Sequence, residues 1–308
     1  MPDTSHIVTA PPDYQRLIAP ETWDFIRRTE AAYPPDTASL TIADQRRIYD
    51  AMCRSFHHGT PPGVTSQDET VAGVPCRRYS GKGPVVLYFH GGGFVVGGLD
   101  SHDDICAEIC AATGLEVLAA GYRLCPEDPH PAAYDDCLAV ARATPGPILL
   151  AGDSAGGALA AAVAAALAGP RLLGQVLIYP GLGGHGDSYR LHADAPMLTA
   201  QDVDFYARIR GADRYDPTAA PLMAAGFTGL PPTLALAAEY DPLADDAAAY
   251  AARITAAGGQ AVALTEPGLV HGYLRARHTV AGARASFARV TATLSAMATG
   301  QWQTGDIA

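Results

Sequence analysis

The chain has 308 residues, of which 48% are hydrophobic, so it is long and apolar enough to bury one large core. A formal net charge of −11 and a single lysine, Lys82, exclude a basic surface for nucleic acid. Residues 1–19 are polar and interrupted by proline, and no apolar run reaches the length of a membrane span. We therefore expect a cytoplasmic protein with neither a membrane nor a nucleic-acid partner.

Two stretches near the start of the chain predict helices, around Tyr14–Arg28 and around Thr41–Phe56. In the second stretch, Ile42, Ile48 and Met52 can share one face of a helix. Neither stretch fits the alternation of strands and helices that follows. We therefore separate residues 1–55 from a main domain over residues 56–308.

A glycine run follows a strand predicted in that domain. Residues 84–89 are apolar and predict a buried strand, after which the chain continues as His90-Gly91-Gly92-Gly93. Glycines in such a place let the backbone approach a ligand closely. A flexible turn or a phosphate-binding loop are the alternatives, but a phosphate loop needs a lysine after the glycines, and Lys82 precedes the strand.

A Gly-Asp-Ser-Ala-Gly segment joins the next strand to a helix. Residues 147–151 predict a buried strand and residues 155–168 an alanine-rich helix, so Ser154 lies at the turn between them. A turn this tight strains the serine backbone and requires small neighbours, which Gly152 and Gly156 are. The pattern is typical of an activated serine nucleophile.

Backbone amides of the two motifs can form an oxyanion hole together. Gly92 and Gly93 are the expected donors from the glycine run, and Ala155, directly after the serine, is the third. Donors placed in this way stabilise the tetrahedral intermediate of acyl transfer.

The base and the acid of a serine nucleophile are expected late in the chain. The strand predicted over residues 233–238 leads to Asp241, and the strand predicted over residues 261–265 is followed by a loop that carries His271. The order serine, aspartate, histidine is that of the α/β-hydrolase triad.

Three other residues compete for these roles. Asp245 and Asp246 fall inside the helix predicted over residues 244–257, where carboxylates near a helix N-terminus have a structural explanation. His278 is better explained as a surface residue of the following helix.

An insertion interrupts the sheet after a strand predicted over residues 175–179. It spans about residues 185–222, and a helix begins in it near Thr199.

With these motifs in place, the chain resembles the hormone-sensitive-lipase-like family of α/β-hydrolases, in particular its bacterial GDSAG-motif esterases. The segments that carry the resemblance are His90–Gly93, Tyr122–Glu127, Pro131–Asp136, Gly152–Gly157 and Glu239–Leu243. The resemblance implies an α/β-hydrolase fold, with a mostly parallel central sheet flanked by helices and a helical cap over Ser154. The cap would combine the N-terminal helices with the insertion.

The resemblance also implies a serine carboxylesterase that works through an acyl-enzyme, with Ser154, Asp241 and His271 as the triad. The chain departs from the family at Asp128, Asp246 and Tyr273, where His, Glu and Phe are usual. These departures concern substrate preference, because none of them touches the triad.

A compact cap favours short acyl chains. We expect its lining to come from the region of Met197, Phe205 and Tyr206, together with Phe94 and Val95 beside the glycine run. Amide or N-acetyl hydrolysis and acyl transfer use the same triad and stay open as alternatives. A receptor built on a hydrolase fold is disfavoured by the intact triad.

The six cysteines show no Cys-x-x-Cys pair, so we predict reduced, buried thiols. Cys106 and Cys110 can share a helix face, but no cluster of histidines accompanies them. We expect no metal and no cofactor. The expected partner is a small-molecule acyl ester, and a homodimer stays open.

Overall fold

The computed structural model describes residues 12–35 and 37–306, so the part of the N-terminal prediction that concerns residues 1–11 lies outside the described residues. Its centre is a sheet of eight strands. In chain order the strands are β1 (Ser66–Val71), β2 (Val74–Tyr79), β3 (Val85–Phe89), β4 (Glu116–Ala120), β5 (Ile148–Asp153), β6 (Leu172–Ile178), β7 (Thr233–Tyr240) and β8 (Ala261–Val270). Their spatial order is β1-β2-β4-β3-β5-β6-β7-β8.

Strands β3 to β8 run parallel, whereas β2 pairs antiparallel with both β1 and β4. The carboxyl ends of the parallel strands therefore lie at one edge of the sheet. The residues of β3 alternate between two core clusters, with Val86 and Tyr88 on one face and Leu87 and Phe89 on the other. Helices cover both faces, as the continuous burial of a parallel strand requires.

The helices are α1 (Tyr14–Leu17), α2 (Pro20–Glu30), α3 (Ile42–Ser55), α4 (Asp103–Thr113), α5 (Ala132–Ala143), α6 (Ala155–Leu167), α7 (Ser188–Leu191), α8 (Ala200–Arg210), α9 (Ala244–Ala256) and α10 (Ala281–Ala298). Helices α4 and α10 belong to the core cluster on one face of the sheet, and α5, α6 and α9 belong to the cluster on the other. No helix among the described residues is long and apolar enough to cross a membrane.

Two elements differ from the sequence-based prediction. The helical stretch around Tyr14–Arg28 is divided into α1 and α2, because Pro20 occupies the first turn of α2 and cannot continue a preceding helix. Strand β8 runs on to Val270, so His271 follows the strand directly and the predicted loop before it is wrong. Pairing of β8 with β7 continues beyond an irregularity to Tyr240 and Val270.

The predicted start of the helix in the insertion is confirmed. Thr199 is the N-cap of α8 and forms a capping box with Asp202, in which each side chain bonds the other residue's backbone N–H. All six cysteines are free and buried, as predicted.

Candidate active site

The nucleophile candidate lies at the turn between β5 and α6. Ser154 has φ 52° and ψ −118°, a strained conformation for a residue with a side chain, and its N–H donates to Ile178 O at 2.9 Å. A Cβ on Gly156 would overlap the carbonyl oxygen of Phe89 at the end of β3. The backbone of the turn therefore requires the small neighbour that the sequence predicted.

The three predicted triad residues meet at this edge of the sheet. His271 Nε2 lies 2.9 Å from Ser154 Oγ, and His271 Nδ1 lies 2.6 Å from Asp241 Oδ2. Asp241 is fully buried, and its other oxygen, Oδ1, accepts the Leu243 N–H at 2.9 Å. This arrangement holds the imidazole with Nε2 toward the serine hydroxyl.

The competing residues lie elsewhere. Asp245 accepts the Ser188 N–H at 2.9 Å, and Asp246 accepts the Leu182 N–H at 2.7 Å, so the first binds the backbone of the insertion and the second the backbone just before it, and neither binds His271. Burial raises the pKa of Asp246 to about 6. His278 Nε2 lies 2.9 Å from Glu108 Oε1, and within the described part of the chain it forms no hydrogen bond with Ser154 or Asp241. It lies in the turn before α10 rather than on that helix.

The predicted oxyanion donors lie around Ser154. Gly92 and Gly93 have φ values of 124° and 60° and line one cavity with Ser154, while Ala155 lines a second cavity that Ser154 also reaches. Within the described part of the chain, the N–H groups of Gly92 and Gly93 donate no hydrogen bond. A Cβ on Gly93 would overlap the ring of Tyr206, so the loop leaves no room for a side chain there.

A buried network that the sequence analysis missed supports the oxyanion loop. Asp153 Oδ1 accepts the Gly91 N–H at 3.0 Å and the Tyr88 hydroxyl at 2.8 Å, so it ties the loop to the residue that precedes Ser154. Burial raises the pKa of Asp153, but its interactions with His102, Arg275 and the Tyr88 hydroxyl outweigh burial and hold this pKa well below its usual range. The carboxylate is thus a fixed anchor for the loop.

His90 completes this support. Its ring is stacked on Tyr122 with 4.2 Å between ring centroids, and Nδ1 lies 2.8 Å from Gly91 O. The Tyr122 hydroxyl donates to His90 O at 2.6 Å. Burial lowers the pKa of His90 to about 3, so the imidazole is neutral at physiological pH.

Two cavities meet at Ser154. Cavity A, about 390 Å³, also contains Gly92 and His271, and its lining includes residues from α2, α3 and α8. Cavity B, about 420 Å³, contains Ala155 and is lined by glycines that directly precede the insertion and by α8. Leu198 and Tyr206 line both cavities.

Three of the five predicted pocket residues line these cavities. Met197 lines cavity A, Phe94 lines cavity B, and Tyr206 lines both. Val95 and Phe205 line neither, so their prediction is wrong. The Val95 side chain is fully buried in the core cluster, and the Phe205 ring packs edge-on against Tyr206 with centroids 5.5 Å apart.

The remaining polar lining of cavity A was not predicted. It includes Tyr33, Tyr49, Tyr179 and Arg275, which come from four separate parts of the chain. No motif links these residues. Tyr49 lies on α3, but the hydrophobic face predicted for this helix consisted of Ile42, Ile48 and Met52 and did not include it.

The sheet order and the turn at Ser154 define the class of protein: the chain is an α/β-hydrolase. A family model described as "alpha/beta hydrolase fold" matches residues 86–275. The carboxylesterase NlhH of Mycobacterium tuberculosis is 38% identical over 294 residues, which cover 84% of this chain and 92% of the relative. The ethyl acetate hydrolase of Pseudomonas putida is 37% identical over 213 residues, which cover 63% of this chain and 67% of the relative.

Solved structures agree with this class. The crystal structure of an esterase from the bacterial hormone-sensitive lipase family superposes with a TM-score of 0.82 at 30% identity and covers 91% of this chain and 99% of its own. An esterase of Pyrobaculum calidifontis gives a TM-score of 0.80 at 28% identity, with coverage of 91% and 99%. The chain belongs to the hormone-sensitive-lipase-like family of α/β-hydrolases, which confirms the predicted family and fold.

Proposed function

We propose that this protein is a serine carboxylesterase that hydrolyses small carboxylic esters through an acyl-enzyme on Ser154. The observation that carries the proposal is the continuous hydrogen-bonded line from Ser154 through His271 to the buried Asp241. Beside it lie the N–H groups of Gly92 and Gly93, which have no acceptor among the described residues. Relatives named as carboxylesterase and as ethyl acetate hydrolase support the class of ester hydrolases.

The chemistry follows from the positions of these groups. Ser154 Oγ attacks the ester carbonyl while His271 Nε2 takes the hydroxyl proton, and the buried Asp241 stabilises the imidazolium that forms. The N–H groups of Gly92, Gly93 and Ala155 stabilise the negative carbonyl oxygen of the intermediate. The C–O bond to the alcohol then breaks, and His271 returns the proton to the leaving oxygen.

Deacylation repeats these steps with water. His271 takes a proton from the water as its oxygen attacks the acyl carbon, and then gives the proton back to Ser154 Oγ. The products are the free acid and the regenerated serine, so no cofactor enters the reaction.

The helical segments supply the walls of the site. Residues of α2, α3 and α8 line cavity A with Ser154 and His271, which supports a cap made of the N-terminal helices and the insertion. Such a cap excludes water from the acyl group and gives each side of the ester a limited volume. Cavities of about 390 and 420 Å³ suit short substrates.

A series of p-nitrophenyl esters from acetate to palmitate tests the proposal. The specificity constant should rise from two carbons to a maximum at no more than about eight and then fall, because each buried methylene contributes about 0.8 kcal/mol until the cavity is full. Palmitate as the best substrate, or activation by an emulsified triglyceride, would contradict the short-chain assignment. Faster turnover of matched p-nitroanilides would show that the protein is an amide hydrolase rather than an ester hydrolase.

A further inference from the structure

Cavity A carries a polar wall that ester hydrolysis does not require. The wall consists of the lining residues Arg275, Tyr33, Tyr49, Tyr179 and Tyr206. None of these groups has a place in the attack, proton transfer or deacylation described above. Their position beside Ser154 indicates that they bind a group of the substrate.

Arg275 is a buried cation whose contacts are all uncharged. It is 9% exposed, and it donates to Ser101 O at 3.0 Å, to the Tyr49 hydroxyl at 2.9 Å and to His102 Nε2 at 3.3 Å. Among the described residues it forms no direct ion pair, but His102 lies between it and Asp153, with His102 Nε2 3.3 Å from Asp153 Oδ1. The Asp153 carboxylate offsets part of the cost of burying this cation. The Arg275 Nε–H has no acceptor among the described residues, so it remains available as a donor.

Three of the tyrosines have hydroxyl groups without a partner. Tyr179 is 2% exposed, and within the described part of the chain neither its hydroxyl nor those of Tyr33 and Tyr206 form a hydrogen bond. Tyr33 and Tyr206 are half-buried, and none of the three hydroxyl oxygens is fully buried, so they can be reached from the cavity. These hydroxyls can donate to a substrate that enters the cavity.

The carboxylates of the same cavity are only partly engaged or are exposed. Asp153 Oδ1 accepts from Tyr88 and Gly91, and Asp202 Oδ2 accepts the N–H and the hydroxyl of Thr199. Asp202 and Glu30 are both exposed. Among the described residues, the donors without an acceptor on Arg275, Tyr33, Tyr179 and Tyr206 therefore outnumber the one interior carboxylate oxygen without a donor, Asp153 Oδ2.

We propose that cavity A selects esters that carry a second, uncharged acceptor oxygen, such as a ketone or ether oxygen, held by Arg275 and the tyrosine hydroxyls. The proposal rests on the proposed esterase function. An uncharged group fits better than a carboxylate, because Glu30, Asp153 and Asp202 line the same cavity and outnumber its one cation.

Matched substrates test the proposal on each side of the ester. On the acid side, p-nitrophenyl 4-oxopentanoate is compared with p-nitrophenyl pentanoate. On the alcohol side, 4-oxopentyl butanoate is compared with pentyl butanoate. Each specificity constant is divided by the rate of hydroxide hydrolysis of the same ester, which removes the intrinsic effect of the ketone on reactivity.

The wild-type protein should prefer the ketone of at least one pair by about tenfold, because a site built to hydrogen-bond an oxygen discriminates against the analogue that lacks it. Monoanionic p-nitrophenyl succinate should be a poorer substrate than the 4-oxopentanoate. A preference for the succinate would overturn the uncharged character of the group.

Tyr33→Phe and Tyr206→Phe remove one hydroxyl each while they keep the ring, and neither breaks a hydrogen bond among the described residues. Each should lower the ketone preference about threefold or more. Tyr134→Phe is the matched control, since Tyr134 lies on α5 outside both cavities and its hydroxyl likewise forms no hydrogen bond in the described chain. Its ratio should equal that of the wild type.

Arg275→Lys keeps a positive charge but loses the planar fork, and circular dichroism checks that it folds. Its specificity constant should fall more for the ketone than for the alkyl ester. The inference would be overturned if the ratio of the ketone to the alkyl specificity constant, for both substrate pairs, were the same in the wild type, Tyr33→Phe and Tyr206→Phe. If the wild-type protein hydrolyses none of the four esters, the proposed function itself fails, which is a distinct result.

Discussion

The sheet edge that carries Ser154 differs from the helical segments across the cavity in what shapes it: backbone packing at the edge, and side chains across the cavity. At the sheet edge, backbone packs against backbone, so that Gly156 has no room for a Cβ beside Phe89 and Gly92 has none beside Val96. Across the cavity, side chains such as those of Tyr33 and Met197 form the wall, and they come from distant segments.

This difference separates two kinds of change. A substitution at the sheet edge alters atoms that every acyl-transfer step uses, whereas a substitution in the helical wall alters which ester fits. We therefore expect losses of kcat from the first region and shifts of specificity from the second. The following predictions test that division, from the largest expected effect to the smallest.

Ser154→Ala should lower kcat by about a millionfold, since loss of the nucleophile leaves only binding and oxyanion stabilisation. Hydrolysis of p-nitrophenyl butanoate measures the loss, and a fluorophosphonate probe should label the wild-type protein but not the variant. Retention of a tenth of wild-type activity would show that another residue is the nucleophile.

Asp241→Asn should lower kcat by about ten-thousandfold, because an amide cannot hold the reactive histidine tautomer or stabilise the imidazolium. Asp245→Asn is the matched control on the next helix, where the carboxylate binds Ser188 of the insertion. It should stay within about tenfold of the wild type. The reverse order of the two losses would move the catalytic acid to Asp245.

Gly93→Ala should lower kcat by about a hundred- to a thousandfold, the usual cost of disturbing one oxyanion donor. The added Cβ overlaps the Tyr206 ring, and the φ of 60° is strained for alanine. Gly98→Ala, five residues along, meets open space and should keep wild-type kcat. Equal effects of the two substitutions would argue against a role of Gly93 in catalysis.

The stability of the oxyanion loop should depend on pH through His90. Its pKa is lowered to about 3 in the folded protein, below the usual value near about 6.5, so acid favours the unfolded state, which binds the proton first. The stabilising contribution is complete above pH about 6.5 and should decline by about 1.4 kcal/mol for each unit as the pH falls toward about 3.

Urea unfolding of the wild type and of His90→Asn, at several values between pH 7 and pH 4, measures this effect. The difference in the free energy of unfolding between the two proteins should shrink as the pH falls. A difference that stays constant over this range would mean that the His90 imidazole does not resist protonation in the folded state.

Much of the sheet edge could be predicted without coordinates. Hydrophobic runs locate β3, β5 and β7, and the residues that follow them, Gly92, Ser154 and Asp241, are placed by the rule that parallel strands end at one edge. The predictions hold there because each depends on local sequence: a strand, a turn and the small residues that the turn needs.

Tertiary packing decided the rest. Nothing local to Val95 or Phe205 indicates that the first faces the core and the second lies beside Tyr206 rather than in the cavity. The extension of β8 to Val270 depends on its pairing with β7, which no pattern within residues 261–270 shows.

The sequence alone determined the family, the strand-end residues and their order, because motifs with fixed backbone requirements carry that information. Only the tertiary structure placed Arg275 with Tyr33 and Tyr179 in one cavity, and Asp153 under the oxyanion loop. Such contacts join residues that lie far apart in the chain, and their energies depend on burial and distance, which local sequence does not encode.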